Sequence, residues 1–554
     1  MTTRSVIVAL SAAFLTFLGG HAASAEQAGA MGEEPAERLF DLKIEMPGGM
    51  AFDGTLLWIT DRVEMKLRGL DPRTGEERKA LPSPGLWPAG LAFDGQLLWV
   101  ADRQRSRFFA LKTGEGLVVK EFESPQSPQG LTFDGTHLWV ADGRSLHQIT
   151  REDGTTITTF PAPSSGGPGP SGEQLGLAFA GGALWVSDRI RDRIYKVDPA
   201  NGEVIDMFPS PGPVPAGLAV VDGRLLVLDV EKRRLDAITL ASLPAVVRRE
   251  PRPERVVLRR SIANRGPGTL AEADIYMAVP QSLASQDLKG EPLFQPAPSG
   301  FVSDQWGQRF AHFNLRDMAP GSSLDVTMTV EAVLYSTRWH VDPSRVGSLA
   351  DIPSAIREAY LADGSKYDIQ HASIQKAVKE ALGDERRPYW MVRKIAAYIR
   401  KKMEYELAGG WNIAPTVIER GTGSCSEYTF VFIAMCRAAG IPARYVGAIV
   451  VRGDDASTDE YFHRWPEVYL PGHGWVPFDA QGGDKPEPER QAAAYGGLEN
   501  RFLITTTGGG GSDIIGWDYN TTARWTCRGR CLVEETSIGD WYPAGRKPEE
   551  PRNP

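Results

Sequence analysis

The spacing of apolar residues divides the chain into three parts. Up to about residue 242, short apolar runs alternate with Asp-Gly pairs, which is typical of short strands joined by tight turns. Over residues 243–350 apolar and polar positions alternate strictly, which predicts strands with one buried face. From residue 351 the period becomes three to four residues, which predicts helices. The alternating positions include Leu324, Val326, Met328, Val330 and Ala332, and the helical ones Val392, Ile395, Ala396, Ile399 and Met403.

The first part is built from an internal repeat. GMAFDGTLLWITD, GLAFDGQLLWVAD and three related units end at successive aspartates spaced by 41, 40, 46 and 41 residues. Each unit predicts strand, turn, strand and then two further strands, which is the content of one propeller blade. Residues 36–242 therefore predict a five-bladed β-propeller, in which residues 39–46 supply the outer strand of the last blade. The longest spacing contains residues 164–170, which are Ser, Gly and Pro and indicate a loop.

Two residue types recur at fixed positions of this repeat. The tryptophans are expected to pack between adjacent blades, and the aspartates that end the second strands are expected to hold turns. A ring of these carboxylates around a metal ion is the alternative. Either way, the propeller is interpreted as a binding or spacing module. These residues are Trp58, Trp99, Trp139 and Trp185, and Asp61, Asp102, Asp142, Asp188 and Asp229.

The alternating part, residues 243–350, predicts an immunoglobulin-like β-sandwich. A charged, proline-containing stretch at residues 249–255 lies near its start. No chemistry is visible in this region, and His312 and His340 are expected to be structural.

The third part contains a candidate cysteine nucleophile. Cys425 follows Gly421, Gly423 and Ser424 and opens a helical pattern that ends at Gly440. A cysteine at a helix N-terminus is favoured as the thiolate, which is the nucleophilic form. We expect one face of this helix to be buried, through Tyr428, Val431, Phe432, Met435 and Ala439.

A predicted hairpin downstream carries a candidate base. Strands at residues 464–470 and 475–478 are separated by a Pro-Gly-His-Gly turn, residues 471–474. This places His463 and Asp479 roughly level on neighbouring strands. A carboxylate can then hold one imidazole nitrogen while the other nitrogen faces the thiol.

Three segments carry a resemblance to a known family. GxCSEYTFVFIAMCRAAGIPARYVGA, HRWPEVYL and GWVPFDA resemble the core of the transglutaminase-like superfamily of cysteine acyl-transfer enzymes. The resemblance implies an α+β, papain-like domain within residues 351–543, ending in C-terminal strands, with Cys425 as nucleophile, His463 as base and Asp479 as orienter. It also suggests the Trp411 indole as an oxyanion donor. The N-terminal repeats resemble NHL-type propeller repeats.

Other residues near this core leave alternatives open. His473, at the turn, is a weaker candidate for the base. The acidic loop of Asp454, Asp455, Asp459 and Glu460 is either solvated or a calcium site. Trp465 and Trp475 either line a channel for an amine substrate or lie in the core.

The N-terminus and the cysteines predict export. An apolar run at residues 6–18 precedes Ala-Ser-Ala at residues 23–25, which predicts a signal peptide over residues 1–25, with an uncleaved anchor as the alternative. Cys527 and Cys531 flank Arg-Gly-Arg and are predicted to form a disulfide, whereas Cys436 is expected to be a buried apolar residue. Residues 544–554 predict a disordered tail.

Composition limits the partners and cofactors. A net charge of −9 over 554 residues argues against nucleic acid and anionic membrane as partners. No CxxC or HExxH motif occurs, so we expect no zinc site and no cofactor. No segment of the mature chain is apolar enough to predict a transmembrane helix.

These observations predict an exported, periplasmic or extracellular enzyme that cleaves or transfers peptide or protein amides through a thioester. Hydrolysis is favoured over crosslinking, because nothing visible selects an amine over water. The propeller is expected to bind an envelope protein or a glycan. The alternative is an inert envelope scaffold with a retained fold.

Overall fold

The computed structural model describes residues 31–32, 36–165, 176–407, 410–453 and 457–544. The predicted signal peptide, residues 166–170 of the predicted insert and residues 545–554 of the predicted tail lie outside these ranges. The α-helices are Ser354–Tyr360, Ala372–Leu382, Pro388–Lys402, Ala414–Arg420, Cys425–Ala438 and Pro488–Ala494, with short 3₁₀ helices at Leu240–Ser242, Pro343–Arg345 and Leu349–Asp351.

Five four-stranded antiparallel sheets form the N-terminal propeller of the described chain, as the repeat predicts. Ala36–Asp41 pairs with Arg234–Thr239 and closes the ring as the outer strand of the fifth blade, so the predicted closure is confirmed, although the strand lies at residues 36–41 rather than 39–46. The blades are Pro47–Phe52, Leu57–Asp61, Lys66–Leu70 and Glu77–Pro82; Pro88–Phe93, Leu98–Asp102, Arg107–Lys112 and Leu117–Glu123; Gly130–Phe133, Leu138–Ala141, Ser145–Ile149 and Thr156–Pro161; Leu177–Ala180, Ala183–Asp188, Arg193–Val197 and Val204–Pro209; Pro215–Val221, Arg224–Asp229, Arg234–Thr239 and Ala36–Asp41.

The repeated tryptophans and aspartates have the predicted structural roles. Trp58 packs against Leu91 and Leu98 of the next blade, and the other three tryptophans make equivalent inter-blade contacts. Each aspartate at the end of a second strand accepts backbone N–H groups of the following turn, as Asp61 does from Val63 and Glu64 at 3.1 Å. The carboxylates are therefore engaged in turns, and the described residues contain no cluster that could hold a metal ion.

Two packed sheets form the sandwich, and the chain's last two strands complete them. Val533–Pro543 pairs with Val246–Asn264, and Thr521–Arg528 pairs with Thr269–Ala278. The sequence places these final strands with the transglutaminase-like region, so the structure differs here. The remaining sandwich strands are Ser323–Trp339, Gln286–Leu288, Leu293–Gln295, Met31–Gly32, Ser457–Asp459 and Gly497–Leu498 in the first sheet, and Gly300–Ser303 and Arg309–Met318 in the second.

A four-stranded antiparallel sheet and the surrounding helices form the third part. The sheet order is Gly474–Pro477, His463–Leu470, Ala443–Val450 and Phe502–Gly508, and Glu404–Tyr405 pairs with Thr422–Gly423. Helix Cys425–Ala438 lies at the centre of this part. Its residues from Ser426 to Arg437 are all buried, so the expectation of a single buried face is wrong, because helices and sheet enclose it together.

The fourth blade packs directly against the sandwich and the third part. Asp206 of the blade accepts hydrogen bonds from Arg338 Nε at 2.8 Å and pairs with His340 Nδ1 at 2.7 Å, and all three side chains are buried. Arg393 forms an ion pair with Glu203 at 2.7 Å. The propeller is thus joined to the rest of the molecule through paired, buried charges, whose separation would leave uncompensated charge.

Candidate active site

The start of helix Cys425–Ala438 is held by a buried glutamate. Glu427 Oε2 accepts the backbone N–H of Ser424 at 3.1 Å and pairs with Arg420 Nη2 at 2.9 Å. Its Oε1 accepts both the backbone and side-chain N–H of Asn412. Because an acid three residues after the N-cap satisfies an otherwise free donor, this residue fixes the turn that presents Cys425 and anchors the neighbouring loop.

His463 and Asp479 lie next to each other, as predicted. The distance from His463 Nε2 to Asp479 Oδ2 is 2.8 Å, and the imidazole lies close enough to the Cys425 thiol to lower its pKa. The hairpin register differs by two residues from a level pairing of His463 with Asp479, since Leu470 pairs with Gly474 and Tyr469 with Trp475. The side chains meet across this offset because Asp479 follows the end of its strand, where the backbone is free to turn.

A glycine makes room for the Asp479 carboxylate. Gly482 donates its N–H to Asp479 Oδ1 at 2.8 Å. A Cβ at position 482 would lie 2.7 Å from Asp479 Oδ2, which is too close for any other residue without displacement. The local sequence Asp-Ala-Gln-Gly-Gly therefore fixes both carboxylate oxygens, one on the backbone and one on the imidazole.

The three groups shift one another's pKa values. Burial alone would raise the pKa of Cys425, but the hydrogen bond and positive charge of His463 lower it below its ordinary value. Burial opposes a charged imidazole, yet the charge and hydrogen bond of Asp479 raise the pKa of His463 to about 10. Burial would likewise raise the pKa of Asp479, whereas His463 and the Gly482 N–H hold it low. These directions favour a thiolate–imidazolium pair.

The loop before His463 is organised by a buried acid. Asp459 accepts the N–H of Val450 at 2.8 Å, the Nε of Arg452 at 2.6 Å and the N–H of Phe462 at 3.0 Å. The interpretation of Asp459 as part of a solvated acidic loop is therefore wrong. Its oxygens are engaged in protein hydrogen bonds, and the neighbouring Asp454 and Asp455 lie outside the described residues.

Sequence reasoning missed Arg464, the residue after His463. Its guanidinium is completely buried and lies within 5.2 Å of the ring centroids of Trp411, Phe430, Tyr445 and Tyr519. Its positive charge also lowers the pKa of Cys425. The HRWPEVYL segment contains this arginine, but only the fold reveals that it points into an aromatic cage beside the thiol.

Trp411 belongs to this same cage. Its ring stacks on Tyr519 with centroids 6.2 Å apart and remains 40% exposed. The hydrogen bonds between Asn412 and Glu427 tie its loop to the start of the Cys425 helix. The structure thus brings Trp411 to the edge of the site, beside Arg464.

The other sequence candidates lie elsewhere. His473 sits in the hairpin turn near Arg345 and Asp342. Trp465 and Trp475 are buried in the core, so the core interpretation is confirmed for both. Cys436 is fully buried, and burial raises the pKa of its thiol. A disulfide joins Cys527 and Cys531.

Residues 375–480 match the family model of the transglutaminase-like superfamily. The match contains the positions of Cys425, His463 and Asp479, and this part of the chain is a transglutaminase-like domain. An uncharacterised protein of Haemophilus influenzae is 31% identical over 137 residues, which is 20% of this chain and 37% of that protein. The chain thus spans little more than a third of this curated relative.

Several solved structures show low similarity. A candidate cysteine protease from Cytophaga hutchinsonii has a TM-score of 0.39 and 17% identity, covering 53% of this chain and 92% of that chain. Myxococcus xanthus glutaminyl cyclase has a TM-score of 0.33 and 17% identity, covering 38% and 97%. Virginiamycin B lyase from Staphylococcus aureus has a TM-score of 0.26 and 19% identity, covering 35% and 66%. TM-scores this low establish no shared function.

Proposed function

We propose that the protein is a cysteine-dependent acyl-transfer enzyme that acts on peptide or protein amides through a thioester. The observation that carries this proposal is that Cys425, at the start of a buried helix, lies beside His463, whose Nε2 is 2.8 Å from Asp479 Oδ2. These groups shift one another's pKa values in the directions that favour a thiolate–imidazolium pair. Such shifts are the property that nucleophilic catalysis by a thiol requires.

In the proposed first step, the Cys425 thiolate attacks the carbonyl carbon of the substrate amide. The carbonyl oxygen takes the negative charge, which the Cys425 backbone N–H and the Trp411 indole N–H would stabilise. As the tetrahedral intermediate collapses, the C–N bond breaks and the His463 imidazolium gives its proton to the leaving amine. This leaves a Cys425 thioester, with Asp479 holding the imidazole in orientation.

The second step resolves the thioester. His463, now neutral, takes a proton from water as the water oxygen attacks, and the thiolate leaves with the carboxylic acid released. We favour water over a second amine, because Trp465 and Trp475 lie in the core and cannot line an amine channel. Water is also far more concentrated than any amine.

We further propose that the enzyme acts outside the cytoplasm, in the periplasm or the extracellular medium. The N-terminal sequence pattern and the Cys527–Cys531 disulfide support this, since disulfides persist in oxidising compartments. Among the described residues, no helix has the length and apolar character needed to span a membrane.

A small activated ester tests this mechanism without knowledge of the natural substrate. We expect 4-nitrophenyl acetate to acetylate Cys425, detected by intact mass and peptide mapping. The Cys425→Ala and His463→Ala variants should lose this acetylation, and Asp479→Asn should retain a slow rate. Cys436→Ala serves as the matched control and should behave as the unmodified protein.

Adding a primary amine during the reaction distinguishes the two fates of the thioester. We expect acetate to accumulate faster than the acetylated amine. Faster amine acylation would reverse the preference for hydrolysis while retaining the acyl-enzyme. An undiminished total rate of acetylation in the Cys425→Ala protein would overturn the proposal.

A further inference from the structure

A cavity of about 460 Å³ lies on the propeller, far in sequence from the cysteine site. Residues of all five blades line it, mainly those at the beginnings of the inner strands, including Gly49, Gly90, Gly130, Gly176 and Gly217. Its volume lies within the range of pockets that hold small molecules. The proposed acyl transfer makes no use of it.

The repeated glycines explain why the blades can converge here. A Cβ at Gly49 would lie 2.1 Å from the Ala89 carbonyl oxygen, and one at Gly176 would lie 1.8 Å from the Ala216 carbonyl oxygen. Bulges fall between Pro47 and Met50 and at the equivalent points of the second and fifth blades. The walls are therefore largely backbone, which brings the few lining side chains close together.

The charged side chains among the described lining residues are all arginines. Arg62, Arg103 and Arg189 each follow the aspartate that ends a second strand, so they occupy one position of the repeat in the first, second and fourth blades. The backbone N–H groups of Arg62 and Arg103 bond to the residues that precede the inner strands, Met46 and Trp87. The repeat itself thus places these guanidinium groups at the same end of the propeller.

Two of these arginines share one aromatic ring. The Cζ atoms of Arg62 and Arg103 lie 4.7 and 5.3 Å from the centroid of Trp87. Within the described chain, neither arginine forms an ion pair with a carboxylate, whereas Arg68, Arg78 and Arg107 of the same two blades do. Two like charges on one indole repel each other, and cation–π contacts contribute only about 0.5–1 kcal/mol each at partly exposed sites. An anion between them would relieve this repulsion.

A buried hydroxyl adds a second, independent observation. Thr60 lines the cavity and is completely buried, and its Oγ1 has no hydrogen-bond partner among the described residues. An unpaired buried hydroxyl costs free energy that a ligand oxygen would recover. Thr60 precedes the Asp61–Arg62 turn and therefore lies at the same end of the cavity as the arginines.

We propose that this cavity is a binding site for a small organic anion whose carboxylate or phosphate oxygens accept hydrogen bonds from Arg62, Arg103 and Thr60. The Trp87 ring supplies an apolar surface beside the charged group. This inference goes beyond the proposed acyl transfer and does not depend on it. It gives the propeller a specific ligand class, small organic anions, where the sequence indicates only a general binding or spacing role.

Calorimetric titration of the full chain with benzoate, phenyl phosphate and benzamide tests the site. We expect at least one of the two anions to bind saturably, one per chain, and the neutral benzamide not to bind. Whichever of benzoate and phenyl phosphate binds with higher affinity shows whether the site prefers a carboxylate or a phosphate. Affinity should fall as ionic strength rises, because salt screens the arginines.

Matched substitutions locate the binding. Arg62→Gln combined with Arg103→Gln should weaken binding at least about tenfold, equivalent to about 1.4 kcal/mol. Arg73→Gln, which removes an exposed arginine from an outer turn of the first blade, should change nothing. Thr60→Val should also weaken binding while leaving the thermal unfolding midpoint unchanged or higher, because no existing hydrogen bond is lost.

Three results would overturn the proposal. The first is the absence of saturable binding by both anions, and the second is equal binding of benzamide. The third is unchanged anion affinity in both the double arginine variant and Thr60→Val. The acetylation of Cys425 by 4-nitrophenyl acetate should be the same in all of these variants.

Discussion

At Cys425, burial and charge act in opposite directions on one thiol. Burial favours the neutral form, while the His463 imidazolium and the Arg464 guanidinium favour the thiolate. Because these partners reverse the effect of burial, a largely enclosed cysteine keeps the nucleophilic character of an exposed, activated one. At Cys436, on the same helix, burial outweighs the charge of Arg437, and its pKa shifts in the opposite direction.

This balance predicts the pH dependence of alkylation. Iodoacetamide reacts with the thiolate, so a lowered pKa of Cys425 shifts the rise of the alkylation rate to a pH below that of an ordinary cysteine. The imidazolium persists until the pH approaches about 10, so it supports the thiolate throughout the neutral range. In His463→Gln the imidazolium is lost, so burial dominates and raises the pKa of Cys425. The alkylation rate at pH 7 should therefore fall at least about tenfold, which corresponds to one pKa unit.

The rate is followed by mass spectrometry of the Cys425 peptide across a pH series. Cys436→Ala is the control and should reproduce the unmodified profile, since Cys436 is buried. Overlapping pH profiles for His463→Gln and the unmodified protein would show that the imidazole does not control the thiol.

At the scale of a single blade, the Asp-Gly turn and the tryptophan form one hydrogen-bonded unit. Asp53 Oδ1 accepts the N–H groups of Thr55 and Leu56, and its Oδ2 accepts the Trp58 indole at 2.7 Å. The fourth blade has Ala180 at the equivalent position, where the Trp185 indole donates to the backbone oxygen at 3.3 Å instead. The motif therefore couples a turn to the packing between neighbouring blades.

We expect Asp53→Ala to destabilise the propeller by about 1–3 kcal/mol, because it orphans a buried indole N–H and two turn N–H groups. Hydrogen–deuterium exchange of the first two blades measures the loss of protection. Glu115→Ala, in an exposed outer turn, is the matched control and should be neutral. Equal protection in both variants would show that the turn does not need this carboxylate.

At the scale of the whole molecule, the C-terminal strands connect the sandwich to the cysteine site. Val533–Pro543 pairs with the long sandwich strand on one side and with Ser457–Asp459 on the other. Asp459 in turn holds the N–H of Phe462, directly before His463. Thr458 pairs with Asp540, about 80 residues further along the chain. The position of the imidazole therefore depends on a strand that is distant in sequence.

This connection predicts that Trp541→Ala weakens both stability and activity. Trp541 is almost completely buried in the sandwich core, and removing a buried tryptophan costs about 3–5 kcal/mol. We expect faster hydrogen exchange in residues 457–463 and slower acetylation of Cys425. Trp525→Ala removes a tryptophan that is 38% exposed from the preceding strand, in the other sheet of the sandwich, and should have a smaller effect on both. If Trp541→Ala lowers stability but leaves the acetylation of Cys425 unchanged, the sandwich does not control the position of the imidazole.

Local sequence determined the blades, the helix start and the choice of Cys425, His463 and Asp479 as candidate site residues. Each depends on short-range chemistry: an Asp-Gly turn that recurs every 41 or so residues, a cysteine after small residues, and a histidine and aspartate on either side of a tight turn. The outer strand at the N-terminus was predictable too, because five units and one unpaired strand can close a ring only in that way.

Only the tertiary structure decided which distant segments meet. Strands pair through backbone groups that every residue shares, so the sequence does not identify a strand's partner. The pairing of Thr521–Arg528 and Val533–Pro543 with the sandwich could therefore not be predicted. The register offset of the hairpin arises at its turn, where Gly472 and Gly474 both adopt positive φ. The buried roles of Asp459 and Arg464, and the gathering of Arg62 and Arg103 at Trp87, depend on neighbours that local sequence does not specify. Charge alone suggests solvent for Asp459 and Arg464, whereas the fold buries both among protein partners.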